Sequence, residues 1–247
     1  MWLSSFYDNG SRGRDVLTDF IGDAELKSVM SDGYNAYTFI GNELKAAETP
    51  NLSKTDHQVC LAHARAKFVK ASEQAGDKNA DIFIKYIEDL YNLERQYTKD
   101  NLTDEERGKQ RQSLETKGIL INLRTHLGIE KSKDPATVTP YLQKALNYLD
   151  TFWTNLFTYI KDGSYPIDNN AAERAVRPLT TQRNSMLHFG SDEGAKMAAT
   201  YHSIISTVKL QGRSAWDYLG KFFVNIFNGC RDFFSMRPDK IGLAICQ

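Results

Sequence analysis

Between Asn79 and Gly163 the apolar residues recur at helical spacing, and this long block limits what the chain can fold into. Phe83, Tyr86, Ile87, Leu90, Tyr91 and Leu93 make one stripe. Thr103 to Glu106 offers a capping box, opening a very polar helix that turns apolar near Ile119, Leu120 and Leu123. Thr139-Pro140 starts another helix, with Leu142, Leu146, Leu149, Trp153 and Leu156 on one side. Both charge signs mix between Asp104 and Lys117, which reads as a solvated face and not as a groove for DNA. The block predicts an all-helical body, packed on itself and on the parts that flank it.

Those flanks have a different character. Trp2, Ser4 and Phe6 alternate with Leu3, Ser5 and Tyr7 in a strand-like run that ends at the turn signal Asp8-Asn9-Gly10. Val16, Leu17, Phe20 and Ile21 then repeat at helical spacing until Gly22. Val29 and Met30 read as a short buried strand running into Ser31-Asp32-Gly33. An aspartate at the carboxyl end of a strand is where open α/β sheets place working groups. A turn aspartate before glycine is the other reading of Asp32. From Val59 to Phe68 a strand end passes into a helix, with Cys60 and His63 one turn apart. Zinc would need four ligands and only two are in view, so the pair is assigned to structure ahead of metal.

On the carboxyl side, Pro166 and the cluster Asp168-Asn169-Asn170 break the chain, and a short helical run follows at once. Asn170 can cap that helix, with Glu173 in the position of a capping-box carboxylate. Glu173 and Arg177 also have an ion-pair spacing, worth about 0.2–0.5 kcal/mol. Arg174, Arg177 and Arg183 gather just beyond. Guanidinium groups suit phosphate because their planar fork bonds two oxygens, although surface arginines also pair with nearby acids. After the loop Gly190 to Gly194, a helix carries Met197, Tyr201, Ile204, Ile205 and Val208 at core spacing and stops at Gly212. Ser214 to Asp217 reads as a further capping box, and Trp216, Leu219, Phe222, Phe223, Ile226 and Phe227 form a last apolar face, read as packing.

The sequence has 31 basic and 31 acidic residues, so its formal net charge is zero. Nucleic acid would therefore have to be held by local clusters and not by bulk charge. Three well-spaced cysteines, Cys60, Cys230 and Cys246, make no disulfide framework, and a reducing cytoplasm is the expected compartment. No apolar run reaches the eighteen or so residues of a membrane span.

The segment from Tyr165 to Pro178, continuing through Arg183-Asn184 and Phe189-Gly190-Ser191-Asp192, resembles the end of the catalytic domain in insertion sequence 66 family transposases. Asp32-Gly33-Tyr34, followed by Tyr37, resembles the segment that carries the family's second catalytic aspartate. The resemblance implies an α/β (α+β) fold: a ribonuclease-H-like mixed sheet, incomplete at its first strand, with a large all-helical insertion and a helical carboxyl-terminal tail. Its parts would be residues 1–78 and 164–212 for the core, 79–163 for the insertion and 213–247 for the tail.

By the same resemblance, Asp32 and Glu173 are catalytic and hold Mg (or Mn), and the activity is strand cleavage and joining at transposon ends. Cys60 and His63 match a cysteine-x-x-histidine element expected to shape the active-site wall or touch DNA, with Arg65, Lys67 and Lys70 on its exposed side. Arg65, Lys67, Arg174, Arg177 and Arg183 become the candidate DNA contacts. The implied partners are DNA at transposon ends, and a second copy of the chain or full-length transposase; no membrane is implied. The family's first aspartate belongs upstream of Trp2, and Asp8 is its nearest substitute here. The chain is therefore expected to be a fragment or a decayed copy, inactive or weakly active alone. A non-catalytic protein that binds DNA or transposase is the alternative.

Overall fold

The structure, a computed structural model, describes residues 13–46, 49–186 and 189–241, without the side chains of Leu179, Gln182, Arg183 and Met186. The strand expected at Trp2–Phe6, the turn at Asp8 and the side chain of Arg183 lie outside this description. The chain divides into two compact units, one of residues 13–170 and one that begins at Ala171.

The first unit opens with helix α1, Arg14–Ile21, which ends at Gly22 as its apolar spacing predicts. Strand β1, Ser28–Ser31, and strand β2, Asp56–Val59, pair in parallel with Ser28 opposite Asp56 and Ser31 opposite Val59. A parallel pair needs a crossover, and the intervening segment supplies one that includes the short helix α2, Pro50–Ser53. His57, Gln58 and Val59 are all buried, so β2 is covered on both faces. Among the described residues the sheet has these two parallel strands, which narrows the expected mixed sheet to a small parallel one within a mainly helical chain.

Helix α3, Leu61–Ala75, follows β2 directly and packs against α4, Lys78–Lys99. Helices α5, Asp104–Arg111, and α6, Leu114–Lys131, come next. Then follow α7, Pro140–Thr151, and the short α8, Trp153–Leu156. One apolar core joins β2 to these helices: Val59, Phe68, Phe83, Ile87, Leu123, Leu142, Leu146 and Leu149 are all closed to solvent. Phe68 and Phe83 stack with ring centroids 4.6 Å apart. The caps fall where the sequence places them: Thr103 and Glu106 bond reciprocally, and the Thr139 hydroxyl accepts from the Leu142 amide.

The mixed-charge stretch needs one correction. Arg111 is not solvated but 1% exposed. Its Nε and Nη2 donate to the two Glu94 carboxylate oxygens at 2.8 Å, and Nη1 donates to the carbonyls of Tyr159 and Asp162. A charge goes inside when its fork is met on every side, and charge alternation along the sequence does not reveal that.

The second unit carries helices α9, Asn170–Met186 (whose first residue belongs to the other unit), α10, Asp192–Leu210, and α11, Ala215–Phe227. Its core is small: Val208, Tyr218, Met236 and Ile241, with Ile204, Leu219, Phe222 and Ile226 against them. The Tyr218 hydroxyl donates to the Met236 carbonyl at 3.0 Å. The rest of the expected apolar face is largely open to solvent: Trp216 and Phe227 are each 83% exposed and Phe223 is exposed too, although its ring lies against those of Phe222 and Phe227. On α10, Met197 and Tyr201 are exposed as well. Periodicity identifies an apolar face, not whether anything covers it.

Candidate functional site

The carboxyl ends of the two strands set the site. The Cys60 amide donates to the Ser31 carbonyl at 3.0 Å, which continues the ladder one residue past β2 and places Asp32 and Cys60 at the same edge. Asp32 is exposed. Its Oδ1 accepts from the Tyr34 amide at 3.0 Å, and Oδ2 accepts from no described residue. The Tyr148 hydroxyl donates to the Asp32 carbonyl at 2.8 Å, so α7 holds the strand end from outside the sheet. Gly33 has φ +83°, and a Cβ there would lie 2.9 Å from that hydroxyl. Burial, with Cys60 and Asp32 nearby, pushes the Tyr148 phenol up, so it stays a donor.

Cys60 stands at the start of α3 as a buried free thiol. Burial raises its pKa and the Asp168 carboxylate adds to this, while amides of Asn169, His63 and Ala62 pull partly the other way. A thiol kept protonated is a poor metal ligand and a poor nucleophile. Its contact is structural: Sγ accepts from the Asn169 amide at 3.4 Å. The His63 Nδ1 is buried without a partner, and the groups described around the pair do not form a cluster of three metal-binding side chains.

That bond from Asn169 belongs to a docked segment. The Tyr165 hydroxyl donates to Asp56 Oδ2 at 2.9 Å, and the Leu61 amide donates to the Ile167 carbonyl at 3.3 Å. Asp168 Oδ1 accepts from the Asn170 amide at 3.0 Å, while Oδ2 accepts from Asn170 Nδ2 at 2.7 Å and from the Tyr91 hydroxyl at 3.0 Å. Asn170 is thus the first residue of α9 and not its cap; the carboxylate two residues earlier takes its amide instead. Nor does the helix stop at Pro178. It runs through to Met186, and the Thr180 and Thr181 hydroxyls donate to the Arg177 carbonyl around the proline.

Glu173, Arg174 and Arg177 lie in the first two turns of α9, and all three are exposed. Asp32 belongs to the first unit and Glu173 to the second. Arg65 is not a free cation at the surface: its Nε lies 3.5 Å from Glu88, which also binds Arg95 at 2.6 Å. Lys67 is exposed with Nζ 4.6 Å from the Tyr148 ring centre, and Lys70 lies over Tyr141 at 5.4 Å. Sequence reasoning passed over Asp168, Tyr91 and Tyr148, which sit in or beside stretches it treated as turn chemistry and helix packing. It also passed over the buried Ser31–His57 pair, bonded at 2.9 Å, where burial lowers the histidine pKa.

Residues 4–197 match the family described as Transposase IS66 family, and this span holds both carboxylates and both motifs. The chain belongs to this transposase family. Among curated relatives, the uncharacterized protein y4jD of Sinorhizobium fredii is 27% identical over 198 residues, or 80% of this chain and 37% of that protein. The uncharacterized protein y4qI of the same organism is 29% identical over 221 residues, or 88% of this chain and 39% of that protein. This IS66 chain therefore spans well under half the length of these relatives. No solved structure matches it. Among its described residues no helix is long and apolar enough to cross a membrane.

Proposed function

We propose that this chain carries the catalytic region of a DNA transposase, acting by metal-dependent phosphoryl transfer at transposon ends on a ribonuclease-H-like scaffold. The observation that carries this reading is the family match across residues 4–197, which includes Asp32-Gly33-Tyr34 and the run from Asp168 to Arg177. In this reading Asp32 and Glu173 are the metal ligands. Their chemistry fits a hard cation such as Mg or Mn: both are exposed carboxylates, and Asp32 keeps one oxygen without a described partner. Such an ion, when bound, stabilises charge on the attacking and leaving oxygens of an in-line displacement.

The chain's own residues do the rest. Tyr148 holds the Asp32 backbone so that its side chain faces outward, and the turn to Tyr34 fixes one carboxylate oxygen. Arg174 and Arg177 offer forked donors to the DNA backbone close in sequence to Glu173. Lys67 is a point charge for phosphate on the Cys60 side.

The test is Mn²⁺ binding to the chain, followed by electron paramagnetic resonance. Asp32→Asn and Glu173→Gln should each weaken the same site by about tenfold or more, since each removes a charged ligand. Binding that neither substitution alters would refute the catalytic reading. If DNA binding persisted in that case, the non-catalytic alternative would take its place.

A further inference from the structure

We infer that Tyr91 is a positioning residue, whose hydroxyl acts through Asp168 to fix where α9 starts and thereby holds the turn that carries Glu173. The inference deepens the metal-site reading above and rests on it for its functional half.

Tyr91 lies on the apolar stripe of α4 and is packed against the main core, a task that phenylalanine would perform equally. What phenylalanine lacks is the hydroxyl, and that group leaves the core to donate to Asp168 Oδ2, 77 positions away, at 3.0 Å. Burial, with the Asp168 carboxylate beside it, keeps the phenol protonated, so it remains a donor. Asp168 then uses both oxygens on Asn170, taking its backbone amide and its side-chain amide. Three donors converge on one carboxylate, and two of them are the first residue of the helix. Glu173 follows in the first turn.

The cations nearby do not compete for this carboxylate. Arg65 and Arg95 line the same open cleft of about 520 Å³ as Tyr91 and Asp168, but Arg95 bonds to Glu88 at 2.6 Å and Arg65 Nε lies within ion-pair reach of that carboxylate, at 3.5 Å without a hydrogen bond. The helical block thus acquires a duty beyond filling space: one of its side chains sets the start of the helix on which the proposed ligand lies.

Two readouts on the full chain separate this inference from the metal reading. The first is amide hydrogen exchange without metal, comparing wild type with Tyr91→Phe. The first four amides of a helix have no acceptor within it, so the informative ones are residues 174–177. Losing a bond to a charged acceptor should speed their exchange on the order of tenfold, with the amides of α6 and α7 unchanged. The second readout is protein cleavage by hydroxyl radicals from Fe²⁺ bound in place of Mg²⁺. Tyr91→Phe should weaken cutting near Glu173 while keeping the cut near Asp32. Asp168→Asn, which loses the charge and one of the two oxygens that Asn170 uses, should disturb both readouts at least as much as Tyr91→Phe. Unchanged exchange at 174–177 in Tyr91→Phe, or acceleration spread evenly over residues 13–170, overturns the inference. Absence of iron-directed cuts in the wild type refutes the metal reading, and exchange alone then decides whether the brace exists.

Discussion

Replacing Gly33 by alanine tests the geometry at the Asp32 strand end, and its cost can be worked from the structure. Gly33 has φ +83°, a region that costs an L-residue about 1–2 kcal/mol. The new methyl would stand 2.9 Å from the Tyr148 hydroxyl and 3.2 Å from Cε2 of both Tyr148 and Phe152. Relief requires the Tyr148 ring to move. That breaks its 2.8 Å bond to the Asp32 carbonyl, worth about 1 kcal/mol, and disturbs the Lys67 ammonium above the ring. Against this, alanine restricts the unfolded chain and returns about 0.4–1 kcal/mol. The net expectation is about 2 kcal/mol of destabilisation in urea unfolding of the first unit. In a Tyr148→Phe background the hydroxyl collision and its bond are already gone, so the same substitution should cost about 1 kcal/mol less. Equal costs in both backgrounds, or a cost below about 0.5 kcal/mol, would refute the argument that Tyr148 presses on this turn.

Arg111→Met should cost about 3 kcal/mol in the same assay, because it leaves Glu94 and two carbonyls unpaired in a buried place; a loss under 1 kcal/mol would contradict the burial. The Lys27 ammonium, with the Ser164 hydroxyl and amide, holds the Asp162 carboxyl down at about 2. A depressed carboxylate stabilises above its unfolded pKa and loses that effect as pH falls, here between about 4 and about 2. Lys27 is largely exposed, so the effect should be about 1 kcal/mol or less, and Asp162→Asn should flatten it in acid titrations of stability. Arg174→Gln and Arg177→Gln should each lower duplex DNA affinity and reduce the salt slope by about 0.9, whereas slopes equal to wild type would remove α9 from the interface.

The helical parts were legible because their signals are local. Thr103 with Glu106, Thr139 before Pro140, and the leucines of α7 announce caps and core within one or two turns. A short strand at Val29 and Met30 and a strand end at Val59 were readable, but the full strands and their parallel register depend on a crossover that no local pattern encodes. Arg111 misled because its partners, Glu94 and the carbonyls near Tyr159, are distant in sequence. Trp216 and Phe227 misled in the other direction, since an apolar stripe looks the same covered or bare. For the candidate site, Asp32 and Glu173 were singled out by resemblance to the family, since the local pattern alone fits a turn aspartate and a capping carboxylate equally. The residues that hold their surroundings, Tyr148 and Tyr91, were hidden inside helical stripes, because a hydroxyl leaving a packed face cannot be seen from spacing.

The claim at the centre of this account is that Asp32 and Glu173 serve one metal ion site, and iron-directed cleavage addresses it most directly. Fe²⁺ with ascorbate and peroxide generates radicals at the ion, which cut the backbone beside its ligands. The account predicts two sets of fragments, ending near Asp32 and near Glu173. Both should fade together in excess Mg²⁺, and both should be lost in Glu173→Gln. Cutting near one residue only, or cutting near Asp32 that survives Glu173→Gln undiminished, would contradict it.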